Sequence, residues 1–550
     1  MHSRPSVVLT ILFALLGIAV LSACNLSEDD VTASDATATP DRLFTLASLP
    51  PPQTRQTSIR AQQPATAQPS STPPVCAIAD VPDGWPVHYD LNATLDWETR
   101  RVVVRQIITY HNTHAEALNQ IVFHVEPRRL AGTMTLQRTL DHDGRELTGI
   151  QLDGWRLTVP LAEPVPAGCT ARVQLLYTLQ LQPLSSENPI GWLAYTPRQL
   201  NLGHWFPTVG LYGYQAPGEW YTPDLHFVGE QSTPVIADYA VRLEVQNGPE
   251  DLMLAGPGKI SQPDDTVWEF ELDSARDFTV SLSTQFELIT ETAGDVEVEL
   301  YYFPSQSPKS RVNTANRALT DAKQALERYT ELFGPYPYER LVIVEGDFPD
   351  GMEFSGLVFV SEAWFRVWDG SASDWLTIIT VHEISHQWWY VLVANNQALN
   401  PYLDEALATY SELLYYEYYY PDLAEWWWDF RIFTYPSEAP VDSTVYDYSS
   451  WRPYINAVYL RGVTMLHRVR NEIGDEAFYE WLRAYAAGYA WEIATPNDFW
   501  GTLNADAYLR VSEVRHQYML EGDILPPVAE PDATALEELE GTPLPANVVE

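Results

Sequence analysis

Basic residues are scarce in this 550-residue sequence: 32 Lys and Arg stand against 74 Asp and Glu, a formal net charge of −42. Nucleic-acid binding draws on clustered Lys and Arg that neutralise phosphates, so no nucleic-acid partner is expected. The acidity itself reads as solubility. Cysteine is scarcer still, with only Cys24, Cys76 and Cys169 in the chain. No two of them stand in a CxxC spacing, which argues against a cysteine-based zinc centre. No internal repeat is evident. What is plentiful is apolar and aromatic: 46% hydrophobic residues, 31 Tyr and 19 Trp. A large core can be buried, and the length predicts two or three domains plus non-globular segments.

The chain opens MHSRPSVVLTILFALLGIAVLSAC. A short basic start, His2 and Arg4, precedes an apolar run from Val7 to Val20. That run is short for a membrane span and suits the core of a signal peptide. The small residues before Cys24 resemble the bacterial lipobox. That resemblance implies removal of a signal peptide at 1–23, a lipid on Cys24 and a membrane-anchored lipoprotein. An ordinary secretory signal cut near Ala23 is the alternative. Either way the mature protein is expected outside the cytoplasm, at the cell surface or in the periplasm. An oxidising compartment lets Cys76 and Cys169 pair, two free buried cysteines being the alternative.

Residues 24–77 are rich in Ala, Thr, Pro, Ser and Gln, as in AQQPATAQPSSTPP, and cannot bury enough apolar surface to offset chain entropy. They read as a disordered tether. The acidic, Pro-containing stretch 521–550 reads as a loose tail. Between them the pattern changes once. Over 78–290, VHYDLNATLDW, RRVVVRQIITYHN, QIVFHVEP, RVQLLYTLQLQP and YAVRLEVQN alternate apolar and polar residues, which predicts a β-sheet domain. Over 291–520, helical periods dominate: NTANRALTDAKQALERYTELFG, SDWLTIITVHEISHQWWYVLV, LDEALATYSELLYYEYYY, NAVYLRGVTMLHRVRNEIG and DEAFYEWLRAYAAG. Two short strands, YERLVIVEGDF and GLVFVSE, lie near the start of this half. YYEYYY and EWWWDF read as core and domain-interface packing, and His114 and His204 as surface or hydrogen-bonded residues.

VHEISHQWW, residues 381–389, holds the strongest chemical signal. On a helix, residues four apart share a face, so His382 and His386 can present imidazole nitrogens to one zinc ion. Glu383 lies one step around, within reach of a water at that ion. Chance would produce such a motif in roughly one in a hundred chains of this histidine content. A catalytic zinc takes three protein ligands and keeps one position open. Glu405, in PYLDEALATY nineteen residues after His386, is the third candidate, carried back by a turn and a second helix.

HEISHQWW followed by LDEALATY resembles the gluzincin metallopeptidases of the aminopeptidase N and leukotriene hydrolase type, in which HExxH is followed by eighteen residues and a Glu. The resemblance runs from about 80 to 520. It implies a multidomain, β then α+β chain: a saddle-like N-terminal β domain and a thermolysin-like, mostly α-helical catalytic domain with one Zn²⁺. DGMEFSG (350–356) resembles the family's substrate-amine motif, which implies that Glu353, with Gly351 and Met352, binds the free α-amino group of a peptide. Phe354 stands where the commonest motif has Asn. PYINAVYLRG (453–462) resembles the family's Tyr-x-Lys-Gly, with Tyr459 as the donor to a developing oxyanion and Arg461 in place of Lys. Tyr454 is a second candidate for that donor. Two family features are missing: the large helical domain after about 520 and the Pro-Cys-x-x-(Asp/Glu)-Pro element, where NLGHWFPTVGLYGY stands instead.

The implied activity is that of a zinc aminopeptidase acting on peptides, with His382, His386 and Glu405 as ligands, Glu383 as base and Tyr459 as oxyanion donor. The rivals are a peptidase without strict N-terminal selection, motivated by Phe354, and a lipid-tethered peptide-binding protein that keeps the fold without activity.

Overall fold

A computed structural model describes residues 84–520, together with Cys76 and Ile78 and apart from 186–187 and 305–307. The expected signal peptide at 1–23, the expected lipidation site Cys24, nearly all of the expected tether and the acidic stretch 521–550 lie outside the described residues.

The first half is built on strands. In Val87–Asp96 every second residue from Val87 to Leu95 is buried, the two-residue period of a sheet with one face on a core. A seven-stranded sheet runs in the order Lys259–Asp264, Val267–Ala275, Ala237–Gln246, Val87–Asp96, Arg101–His111, Thr170–Gln180, Met134–Leu140. Its pairings are antiparallel except at the centre, where Val87–Asp96 runs parallel to Ala237–Gln246. A four-stranded sheet (Gln151–Asp153, Arg156–Val165, Leu118–His124, Thr208–Val209) shares its core, including Tyr89, Phe123, Tyr177, Trp205 and Phe206. A disulfide joins Cys76 to Cys169, with Cα atoms 5.3 Å apart, and so ties the chain ahead of the first strand to the start of Thr170–Gln180.

A five-stranded sheet leads into the helical half, ordered Glu287–Ala293, Val296–Tyr302, Arg340–Gly346, Leu357–Ser361, Gly351–Phe354. Two of its pairings are parallel, and the first, Val296–Tyr302 with Arg340–Gly346, is bridged by the long helix Pro308–Phe333, which stops at Gly334 with φ +115°. Alternation splits its side chains. Leu300, Ile343 and Val358 face the helices, while Tyr301, Val342, Val344, Phe359 and Met352 pack on the other side.

The histidine helix spans Trp375–Ser385, and the Asp374 side chain caps it by accepting from Leu376 N–H. The glutamate helix spans Glu405–Tyr419. The sequence reading carried the histidine helix through WWYVLV, and the structure corrects this. After His386 the amides of Val391, Leu392 and Val393 bond the carbonyls of His386, Gln387 and Trp388, and Tyr390 takes φ +137°. These wide turns break the helix while keeping Trp388, Trp389 and Val391 wholly buried. Further on, the helical course widens to a π turn at Asn456–Leu460 before the helix Arg461–Ile473. Among the described residues no helix is long and apolar enough to cross a membrane.

Candidate metal centre and amine recess

His382 and His386, one turn apart, bring their Nε2 atoms to 3.2 Å from each other. The Glu405 carboxylate oxygen Oε2 stands 3.5 Å from the first and 3.6 Å from the second. Glu405 is the first residue of its helix, and Asp404 fixes that end by accepting from the Glu405 backbone N–H at 2.8 Å. All three side chains are buried.

The outer nitrogens decide the tautomers. His386 Nδ1 lies 2.9 Å from the Trp389 carbonyl, which only accepts, so Nδ1 carries the proton and Nε2 a lone pair. His382 Nδ1 lies 2.9 Å from Glu412 Oε1. Burial pushes the Glu412 carboxyl up, but Arg431 and His382 outweigh it and hold it below the usual range. It therefore accepts from His382 in the same way. His386 Nε2 thus offers a lone pair beside Glu405 Oε2; burial disfavours charge on His382, but Glu405 and Glu412 outweigh it and raise its pKa to about 10, so without an ion its Nε2 holds a proton toward Glu405. The place this proton fills between two imidazoles and a carboxylate also fits a cation bound by all three. Glu412 is itself held by Trp427 Nε1 at 3.0 Å and by two bonds from Arg431, each 3.0 Å. This outer partner was not read from the sequence. The signal existed: Glu412 is seven residues, or two helical turns, after Glu405. Trp427 of EWWWDF thus does more than pack.

Glu383 points from the histidine helix toward the edge strand Gly351–Phe354. A Cβ on Gly351 would lie 2.1 Å from Glu383 Oε1, so glycine at 351 makes room for that carboxylate. Glu353 lies on the same side of the strand, buried, and the sites formed by Glu353, Glu383 and His386 and by Glu230, Glu353 and Glu405 are both compact enough to surround a cation. Met352 and Phe354 point the other way, into the apolar cluster with Phe348 and Phe359. Met352, expected in the substrate-binding stretch with Gly351 and Glu353, therefore sends its side chain into the core and leaves only its backbone on the strand that borders the site. Phe354 likewise packs against His204, rings 5.0 Å apart, and closes on Gly203. The stretch NLGHWFPTVGLYGY supplies this packing, with Trp205 and Phe206 in the β core. His114 bonds Tyr110 at 3.1 Å, and His204 stands 3.5 Å from Glu126.

Glu230 was missed. It comes from a loop of the β half, more than a hundred residues before Glu353, and nothing local in FVGEQS marks it. Burial and the neighbouring Glu405 push its carboxyl up to about 8, with Arg129 opposing. Burial pushes Glu383 to about 8 as well, Glu405 and Glu230 adding to the rise and His382 opposing it. Glu353 is raised well above its usual range by burial, then by Glu230, Glu405 and Glu383. Carboxylates crowded this way gain from any cation placed among them.

Tyr459 lies on the π turn with its ring parallel to that of His382, centroids 6.1 Å apart, and its hydroxyl bonds Glu405. Tyr454 is fully buried, its ring edge-on to Tyr459 at 5.6 Å and its hydroxyl without a hydrogen-bond partner.

A helix with two histidines a turn apart, a second helix with the third donor, and a recess of spare carboxylates beside them form the arrangement that the gluzincin resemblance implies. Residues 317–518, rather more than a third of the chain, match the Peptidase family M1 domain. Aminopeptidase N of Lactobacillus helveticus is 28% identical over 253 residues, 42% of this chain and 29% of the relative. Endoplasmic reticulum aminopeptidase 2 of Homo sapiens is 25% identical over 225 residues, 39% of this chain and 23% of the relative. The matched region thus spans under a third of these relatives. The M1 zinc metallopeptidase of Deinococcus radiodurans has the same fold, with a TM-score of 0.56 at 19% identity, over 82% of this chain and 96% of that one. A mutant of it bound to a Tyr-Ser-Ala substrate aligns at TM-score 0.55 and 18% identity, over 81% and 96% of the two chains.

Proposed function

We propose that the chain is a zinc-dependent aminopeptidase that removes residues from the free amino ends of peptides. The observation that carries this reading is the pair Glu353 and Glu230, placed beside the three-ligand centre. His382, His386 and Glu405 would hold the zinc. Bound there, zinc supplies Lewis acidity, which lowers the pKa of water toward neutral and polarises a carbonyl. Glu383 takes a proton from the attacking water and returns it to the leaving amine. Gly351 gives that carboxylate room. Tyr459 donates its hydroxyl to the oxygen that gains charge. Glu353 and Glu230 pair with the α-ammonium, so the scissile bond is the first from the amino end. Phe354, which motivated a peptidase without strict selection, turns its side chain away from this recess.

The test is a set of aminoacyl fluorogenic substrates and their N-acetylated counterparts, assayed on metal-quantified protein with and without chelator. Zinc-dependent cleavage restricted to free amines is expected. Equal rates on blocked and free substrates would overturn the aminopeptidase reading, and zinc-free inactive protein would favour a binding protein.

We further propose that the protein works outside the cytoplasm, tethered by a lipid on Cys24 at the cell surface or in the periplasm. The basic start, the apolar run and the small residues before Cys24 support this. A Cys24→Ser variant recovered in the soluble rather than the membrane fraction is the expected result.

A further inference from the structure

The two carboxylates of the amine recess come from different halves of the chain, and something must hold them in register. We infer that Gln397 is the positioning residue that does so, clamping Glu353 to the Glu230 loop through Ser232. This rests on the aminopeptidase reading above and assigns a role to residues outside the reacting set.

Gln397 lies in the loop between the histidine and glutamate helices and is buried. Its side-chain amide is fully used. Nε2 donates to Glu353 Oε1 at 3.3 Å, and Oε1 accepts from Ser232 Oγ at 2.6 Å. The same side chain bonds Asp404, the residue before Glu405. Ser232 is two residues past Glu230, so one path of two hydrogen bonds links the carboxylate of the catalytic half to the loop that carries its counterpart.

That loop has little freedom of its own. Gln231 is completely buried; its amide donates to the carbonyls of Val228 and Gly229 at 2.8 and 2.7 Å and accepts from the backbone of His226 at 2.9 Å. Arg129 adds bonds to Gln231 and to the His226 carbonyl. His226 Nε2 reaches the Tyr448 carbonyl at 2.9 Å, across to the catalytic half. A stiff loop fixed at Ser232 leaves Glu230 one place to be. A charged recess that must discriminate an ammonium gains from such fixed geometry, because reorganisation need not be spent on binding.

Gln397 also suits the task electrically. An amide can face a carboxylate with its N–H and a hydroxyl with its oxygen at once, and it adds no charge to a recess already crowded with carboxylates. Glutamate there would keep the Ser232 bond and lose the donor to Glu353.

The experiment compares Ser232→Ala, Ser232→Thr and Gln397→Glu with wild type on a free aminoacyl fluorogenic substrate, with zinc content and thermal midpoint recorded. Ser232→Ala should raise KM about tenfold, the scale of one hydrogen bond serving a charged group, with kcat within about twofold. Ser232→Thr, which keeps the hydroxyl, should restore it. Gln397→Glu should raise KM further at unchanged zinc content. In a Glu353→Gln background, Ser232→Ala should add nothing, since the clamp would have no charge left to orient. A purely structural contact would instead lower kcat and thermal midpoint together and add in full to Glu353→Gln, and that result overturns the inference. If wild type already cleaves free and N-acetylated substrates alike, the aminopeptidase reading fails and this one with it. If wild type discriminates and Ser232→Ala is silent, only the clamp is wrong.

Discussion

Gly351 meets the carboxylate of Glu383 so closely that any side chain would displace it: a Cβ at 351 would lie 2.1 Å from Oε1 and 2.4 Å from Cδ. The strand and the helix are fixed by separate cores, so neither can retreat to make room. Gly351→Ala should therefore fold and bind zinc yet lose turnover. A displacement of about 1 Å at a reacting group costs on the order of a hundredfold. Steady-state kinetics beside metal quantitation checks it, and an alanine variant with wild-type kcat would remove Glu383 from the reaction.

Glu383 is the base in the proposed reaction and not a ligand, and this separates two losses. Glu383→Gln keeps the shape and removes the proton acceptor. Zinc content should stay at one per chain while kcat falls by about 10²- to 10⁴-fold, the usual contribution of such a group. Single-turnover kinetics on zinc-loaded variant measures it. Full turnover would sink the assignment.

The metal site depends on Glu412 as much as on its three inner residues. Glu412 takes the proton side of His382 and is held by Arg431 and Trp427. Glu412→Gln should weaken zinc binding about 10- to 100-fold, the typical effect of an outer partner of a metal-bound histidine. Arg431→Leu should cost more stability, because it strands a buried carboxylate. Competition with a chromophoric chelator reads the first effect and thermal unfolding the second.

Removing the ion should destabilise the domain itself. Without it, a proton on His382, 3.5 Å from Glu405 Oε2, is all that offsets the buried carboxylate, and no bond joins the two helices at His386. Chelation should lower the thermal midpoint, and added zinc should restore it with a dependence on zinc concentration, since a ligand that binds only the native state stabilises by mass action. An unchanged midpoint would mean that no ion is held there.

How much of this was legible in the sequence follows from how local each signal is. His382 and His386 share one helical face, so periodicity pairs them, and Glu405 joins them because a short turn and a second helix return the chain to that face. The strand Gly351–Phe354 also obeys its period: 351 and 353 face the site, 352 and 354 the core. The break after His386 was hidden because WWYVLV is apolar enough for a buried helix, and only Tyr390 at φ +137° ends it. Glu230 was not legible, because it reaches the recess through tertiary packing of a loop, and an isolated Glu in a β domain has no pattern to betray it. Arg431 was hidden similarly on a π turn at Trp428–Ile432, where the ordinary helical count fails.

Two tyrosines compete for the oxyanion, and the structure separates them. Tyr459 lies parallel to His382 at 6.1 Å and bonds Glu405, so its hydroxyl borders the metal. Tyr454 stands a ring further out, at 5.6 Å from Tyr459, and its hydroxyl would lie 3.1 Å from a Cβ on Gly229, at the loop that carries Glu230. The first is placed to follow charge that appears during reaction, the second to touch the bound amino end. Tyr459→Phe should lower kcat about 10²- to 10³-fold with KM little changed, as expected for a donor that acts in the transition state. Tyr454→Phe should act mainly on KM. The opposite split, with Tyr454→Phe collapsing kcat and Tyr459→Phe sparing it, would reverse the assignment while leaving the metal centre intact.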